Sequence, residues 1–369
     1  MKLRILFTGG GTLGSVVPLV AVHEELVSRY GKNVQSRWIG TRSGPERLVV
    51  ENAGIAFKAI ATGKLRRYFS LQTFIDPFFI LLGFFQSLFS IIANRPDAVV
   101  SAGSFTAVPV LWAARCVGVK SVVLQLDLAV GLANRLTVGG AARVGVAFAE
   151  EAKQFGGRKV DVVGIPVRGR VRELAELSPS KRIALKNNLG LSPNMPMVLV
   201  LGGGTGSLAL NALTVEALPF LTKKMQVVHV SGAGKEVDEL NLKKRYEGRY
   251  YPYSFLDSEL LDYMACADIV VTRAGMGTLA ELAVLGKPAL IVPLPQSHQE
   301  VNAQFFEKKG AAVCLEEKLL TGKLFAQAIL SNIDHDNNAL VKAMRRLLPS
   351  DATATVSDMI VEVVGGGGV

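Results

Sequence analysis

At 369 residues the chain is about twice the length of an ordinary single core, so two domains of similar size are expected. Apolar residues make up 49%, charged residues 20% and glycine 37 positions, a balance that excludes extended disorder and suits large cores with many strand-to-helix turns. The net charge of +10 asks for an anionic partner, a phosphorylated substrate or an acidic bilayer, whereas the scattered basic residues and the lack of an RNP-like aromatic segment argue against nucleic acid.

In the first half, β-rich runs at 3–7, 36–39, 98–101, 121–125, 144–148 and 160–163 alternate with helix-period segments such as 17–30 and 108–117. Met1 leads straight into the first of these strands without signal-peptide regions, so secretion is not expected. The first strand ends in the glycine-rich turn Gly9-Gly10-Gly11-Thr12-Leu13-Gly14, a backbone able to approach an anionic group closely. It reads only loosely as a dinucleotide fingerprint, with Glu51 too distant for a ribose acid, and it is no Walker loop because no Gly-Lys-Ser/Thr follows.

The greasiest stretch comes next. Lys64, Arg66 and Arg67 precede Phe74, Phe78, Phe79 and Phe85 in a run whose longest charge-free part, 77–94, barely reaches spanning length. A spanning helix would leave the next strand across the bilayer, so the segment is expected to lie at an anionic membrane surface, its phenylalanines inserted shallowly beside the basic residues.

Gly164-Ile165-Pro166-Val167-Arg168 forms a turn-like joint, which puts the domain boundary near residue 165. The second half repeats the alternation, with strands at 197–201, 226–230, 269–272, 289–292 and 312–315 and helices at 208–221, 279–285 and 301–308. The expected organisation is a domain over 1–165, a second over 166–350, and a closing helix and tail over 351–369 that crosses back onto the first domain. The fold class is α/β, two facing Rossmann-like doubly wound parallel-sheet domains, with ligand crevices at the carboxyl ends of both sheets. Cys116, Cys266 and Cys314 form no CxxC pair, and neither a disulfide framework nor a zinc site is indicated.

The second domain opens with its own glycine turn, Gly202-Gly203-Gly204-Thr205-Gly206-Ser207. Its most informative segment is Arg273-Ala274-Gly275-Met276-Gly277-Thr278-Leu279-Ala280-Glu281, followed by Gln299-Glu300-Val301-Asn302. A glycine turn feeding a helix can meet a diphosphate, Glu281 can accept bonds from ribose hydroxyls, and Gln299 and Asn302, one helical turn apart, can reach sugar hydroxyls side by side.

These motifs, with Ser231-Gly232-Ala233-Gly234 and Phe255-Leu256-Asp257, resemble the MurG family of GT-B glycosyltransferases across essentially the whole chain. The resemblance implies inverting transfer of N-acetylglucosamine from UDP-GlcNAc to an undecaprenyl-linked acceptor, lipid I, at the cytoplasmic face of the membrane by a peripheral protein. No cofactor is implied. It places uracil at Leu256, ribose at Glu281, diphosphate at Met276, Gly277, Thr278, Leu279 and Ala280, and the GlcNAc hydroxyls at Gln299 and Asn302. Arg168 would stabilise phosphate charge, and Gly204 and Gly206 belong to the phosphate turn, Gly204 standing where the family has a serine.

The first half departs from the family more seriously. Thr12, Leu13 and Gly14 lead to Ser15 where the family has the histidine proposed to help deprotonate the acceptor, and serine is no base at neutral pH. Gly103-Ser104-Phe105 replaces Gly-Gly-Tyr, and Leu124-Gln125-Leu126-Asp127 replaces His-Glu-Gln-Asn, while Gly131 and Asn134 match. Asp127 is the substitute base that this half offers. The clustering of departures here leaves open another lipid-linked acceptor, or a relative that binds nucleotide sugar without turning it over; a nicotinamide or flavin oxidoreductase is a minor alternative.

Overall fold

The computed structural model describes the chain except residues 1, 64–74, 156–159, 205, 258, 334–336 and 367–369. Lys64, Arg66, Arg67 and Phe74 of the expected membrane-contact set lie outside the described residues. The chain forms two compact units, Met1–Gly169 with Asp351–Val369, and Arg170–Ser350.

The first unit is built on strands β1 Leu3–Thr8, β2 Val34–Gly40, β3 Ala56–Ala59, β4 Ala98–Ser101, β5 Ser121–Gln125, β6 Arg143–Val146 and β7 Val160–Val162. They form one sheet in the order β3-β2-β1-β4-β5-β6-β7, every neighbouring pair parallel. Between them run helices α1 Val17–Tyr30, α2 Glu46–Asn52, α3 Asp76–Asn94, α4 Ala107–Cys116, α5 Leu132–Thr137 and α6 Ala149–Ala152. Val99, Val100, Val122 and Val123 are fully buried, as expected of parallel strands covered on both faces.

The helix α7 Gly169–Ala175 and α8 Pro179–Asn188 lead into the second sheet, made of β8 Met197–Leu201, β9 Gln226–Val230, β10 Tyr250–Tyr253, β11 Ile269–Thr272, β12 Ala289–Ile291 and β13 Val313–Cys314. The order is β10-β9-β8-β11-β12-β13, again all parallel. Its helices are α9 Leu208–Leu221, α10 Glu239–Arg245, α11 Glu259–Cys266, α12 Met276–Leu285, α13 His298–Lys308, α14 Gly322–Ile333 and α15 Asn338–Leu347. Leu210, Leu218 and Leu221 of α9 meet Phe325 and Ile329 of α14 in one apolar cluster against the sheet. The closing helix α16, Ala352–Gly365, belongs to the first unit, where it packs on α1 and bonds the Val167 N–H through the Thr353 hydroxyl at 3.0 Å.

In each sheet the strand order reverses beside the opening strand, between β1 and β4 and between β8 and β11. Such a reversal splays the loops at the carboxyl ends and opens a crevice for a ligand. Both glycine turns sit at these points.

α3 departs from the packing of the other helices. Gly83, Ser87 and Ser90 form an inward stripe with Ile91, so close that a Cβ on Gly83 would stand 2.2 Å from the Ala61 carbonyl oxygen. Most of the large side chains therefore point outward: Phe78 is 73% exposed and Phe89 69%, with Phe79, Leu81, Leu82, Phe85 and Ile92 also exposed, while Phe84 and Leu88 pack on the core. Among the described residues α3 is one helix long and apolar enough to cross a membrane.

Candidate active site

The second unit carries the better-formed set of candidate site residues. β8 ends in Gly202, and the turn that follows is held open by Gly206, whose φ of +69° favours glycine and whose Cβ would meet the Ser231 carbonyl oxygen at 2.2 Å. Gly203 and Gly204 are exposed at its tip. Ser207 caps α9 by accepting from the Leu210 N–H at 3.3 Å.

β11 feeds the neighbouring turn. Arg273 is buried, and its guanidinium donates to the Val292 and Pro293 carbonyls at 3.0 and 3.1 Å, to the Ser207 hydroxyl at 2.5 Å and to Glu317 at 2.5 Å. One side chain thus ties together the loops after β8, β11 and β12 and the turn that carries Glu317. The sequence reading passed over Arg273 as a tether, because its partners lie far along the chain. Its buried pairing with Glu317 removes its positive charge from use by a ligand.

Beyond it, α12 begins at Met276 with Gly275 at its N-cap and no capping side chain. The first N–H groups of this ten-residue helix are available to an anion, and the helix dipole favours one there. Met276, Leu279 and Ala280 are buried while Gly277 and Thr278 are half-buried, so this segment can offer a diphosphate its backbone rather than its side chains. Glu281 follows as a buried carboxylate on the same helix, and Leu256 is buried beyond β10.

Gln299 and Asn302, expected to reach sugar hydroxyls side by side, each bond a neighbouring loop. The Gln299 amide oxygen accepts the Leu294 N–H at 3.1 Å, whereas the fully buried Asn302 amide donates to the Ala274 carbonyl at 3.1 Å. Helical spacing sets two side chains on one face but not their rotamers, and here Asn302 is drawn under the glycine turn that it braces.

The first unit is organised around a carboxylate that the sequence reading missed. Glu46 is 0% exposed; its Oε2 accepts the Gly11 N–H at 3.1 Å and its Oε1 accepts the Thr41 N–H at 2.7 Å and hydroxyl at 2.5 Å. The N–H that the first glycine turn would lend to a phosphate is thus already bonded to a negative group. Phe105 closes the other side, where a Cβ on Gly11 would stand 2.7 Å from its ring. Thr12 and Gly14 are exposed and Leu13 half-buried in the single 3₁₀ turn Leu13–Ser15. The Ser15 hydroxyl is buried with no hydrogen-bond partner among the described residues.

The neighbouring turn after β4 is strained. Ser104 has φ of +90°, where a side chain is disfavoured, and its hydroxyl donates to the Gly10 carbonyl at 2.7 Å, fastening the two turns together.

Asp127 lies half-buried beyond β5. Its loop is held by a short relay: Asn134 donates to Leu124 O and to the Gln125 side-chain oxygen at 3.0 and 2.7 Å, and the Gln125 amide in turn donates to the carbonyls of Asp127 and, at 3.2 Å, Ala129. Asn134 acts here through Gln125 on the backbone of the candidate base. Behind it stands Glu151, fully buried, one carboxyl oxygen accepting the Ala147 N–H at 3.0 Å and the other without a partner among the described residues. Burial, with added repulsion from Asp127 and Glu150, pushes the Glu151 carboxyl up to about 8. Arg168, half-buried, lies within electrostatic reach of Glu24, whose carboxyl is raised by burial and pulled back by that guanidinium.

With this geometry in place, comparison with known proteins is decisive. Residues 5–146 match the glycosyltransferase family 28 N-terminal domain and residues 197–360 the family 28 C-terminal domain. The chain belongs to glycosyltransferase family 28. Among family 28 relatives it is 33% identical over 364 residues, 98% of this chain and 99% of the other, to the UDP-N-acetylglucosamine–N-acetylmuramyl-(pentapeptide) pyrophosphoryl-undecaprenol N-acetylglucosamine transferase of Lachnoclostridium phytofermentans. It is 34% identical over 363 residues, 97% of this chain and 98% of the other, to the Clostridium kluyveri enzyme of the same name. The crystal structure of Acinetobacter baumannii MurG superposes with a TM-score of 0.69 at 22% identity, covering 98% of this chain and all of that one. The Streptomyces glycosyltransferase SsfS6 complexed with thymidine diphosphate gives 0.63 at 18% identity over 98% of this chain and 99% of its own. The family 28 fold is GT-B, and the two all-parallel sheets found here are its two halves.

Proposed function

We propose that this family 28 enzyme transfers N-acetylglucosamine from UDP-GlcNAc to undecaprenyl-pyrophosphoryl-MurNAc-peptide, giving lipid II, at the cytoplasmic face of the membrane. The observation that carries the reading is the near-full-length identity to transferases of that name, joined to a donor half whose turns are intact.

The second unit holds the donor. The exposed backbone of the glycine turn after β8 and the uncapped start of α12 receive the diphosphate, and Glu281 accepts from the ribose hydroxyls. In the first unit Asp127 takes the proton of the acceptor hydroxyl as its oxygen attacks the anomeric carbon. The bond from that carbon to the β-phosphate oxygen breaks with its electron pair leaving on UDP, so a single displacement inverts the anomeric centre. Arg168 adds positive charge for the phosphates.

The outward apolar face of α3 supports docking on a bilayer. Insertion parallel to the surface agrees with its inward stripe, since Gly83, Ser87 and Ser90 are occupied against the fold that carries β4 immediately afterwards.

One set of observations favours a neighbouring reading. Ser15, Ser104 and Asp127 stand where the family has histidine, glycine and asparagine, and Glu46 holds the first glycine turn. A related lipid-linked acceptor would fit these changes. Both readings are tested by incubating the purified chain with UDP-GlcNAc and a panel of undecaprenyl-linked acceptors, then weighing the lipid products. A gain of one β-linked GlcNAc on lipid I supports the first reading; a gain confined to another acceptor supports the second.

A further inference from the structure

Lys235 ends the turn after β9, next to the phosphate turn of β8, and its ammonium donates to the Gly206 carbonyl at 2.9 Å. Among the described residues it bonds to no carboxylate. The adjacent Glu236 turns away, its carboxylate accepting the Gly234 N–H at 2.8 Å. Lys235 thus brings uncompensated charge to the turn, in contrast to Arg273, which is spent on Glu317 and carbonyls.

The placement is built, not incidental. The Asn211 amide donates to the Ser231 and Lys235 carbonyls at 3.0 and 2.9 Å, clamping both ends of the turn. Asn211 Oδ1 lies 3.1 Å from His229 Nε2, and His229 Nδ1 lies 2.9 Å from the Tyr250 hydroxyl, all buried. With its amide nitrogen engaged, Asn211 presents an acceptor to the ring, so His229 carries its proton on Nε2 and accepts from Tyr250 at Nδ1. Burial lowers His229 to about 4, so the clamp stays neutral in this tautomer at physiological pH.

We propose that Lys235 is a further donor-binding residue, whose ammonium, steadied on the Gly206 carbonyl, contacts the diphosphate of the nucleotide sugar and supports the charge that the departing nucleoside diphosphate carries away. An ammonium has three donors, so the bond to Gly206 leaves two for phosphate oxygens. No proton moves through it. The inference rests on the donor reading above and assigns the diphosphate a ligand from a loop that reading does not use.

The test compares UDP and uridine binding to the full-length protein by calorimetry and NMR titration, in the natural sequence and in Lys235→Ala and Lys235→Arg. The expected result is a loss in UDP affinity for Lys235→Ala of about tenfold or more, the scale of a hydrogen bond to a charged group, with uridine affinity unchanged and part of the loss restored by Lys235→Arg. Unchanged UDP affinity, or equal losses for UDP and uridine, overturns the role of Lys235 while leaving the donor site standing. Failure of the natural sequence to bind UDP overturns both.

Discussion

At the scale of single residues, the donor carboxylate is the simplest to question. Glu281 is buried on α12, close to the turn to which the diphosphate is assigned in the proposed function. Replacing it with alanine is expected to weaken UDP-GlcNAc binding by about 1–3 kcal/mol, as calorimetry would read it; an unchanged affinity removes the ribose contact. Glu151 makes a different prediction, in pH. Its carboxyl sits near 8 in the folded chain against an ordinary 4.5, so the folded state keeps a proton that the unfolded state releases. The stability this adds is complete below the ordinary value and is lost as pH rises through about 8. Glu151→Gln keeps the shape of the protonated acid, so its unfolding midpoint should fall less than that of the natural protein as pH is raised. Parallel curves would show that Glu151 is ionised throughout. Neither Glu151 nor Glu46 was legible in the sequence as a site residue. A buried carboxylate announces itself by what surrounds it, and Glu46 meets Gly11 only after β1 and β2 have paired.

At the scale of elements, the glycine turns were legible because strand, glycine run and helix follow one another within a dozen residues or so, a local pattern that tertiary packing has little room to overrule. Of the four edge strands, β7 and β13 were legible while β3 and β10 were not. Tyr250–Tyr253 carries Pro252, which argues against a strand, yet β10 is the outer strand of its sheet, where the missing N–H has no ladder partner to disappoint. The short β3, also at an edge, was passed over because its burial alternates only between exposed and half-buried. α3 stood out by its phenylalanines, but the sequence could not say which of them face away. The small stripe of Gly83, Ser87 and Ser90 decides it by admitting the Ala61 backbone and leaving no room for bulk. Substituting serine for Phe78 and Phe89 together should leave the fold intact, since both are exposed, and should reduce sedimentation with anionic vesicles by several-fold. Undiminished vesicle binding would put the membrane contact elsewhere.

At the scale of the whole molecule, length and alternation were enough to anticipate two doubly wound units, because a parallel sheet covered on both faces needs a helix after each strand and little else. The chemistry was legible unevenly: the donor half follows its family closely, while the acceptor half replaces the residues by which a base would be recognised, leaving Asp127 to be argued from position alone. The measurement that tests the account most directly is transfer of radiolabelled N-acetylglucosamine from UDP-GlcNAc to a lipid I analogue in detergent, run with the natural sequence and with Asp127→Asn. The account predicts a labelled lipid product from the natural sequence and a fall in rate of about a hundredfold or more in the variant, the usual scale of losing a general base. Tight binding of UDP-GlcNAc by the natural sequence with no label reaching lipid I would contradict it.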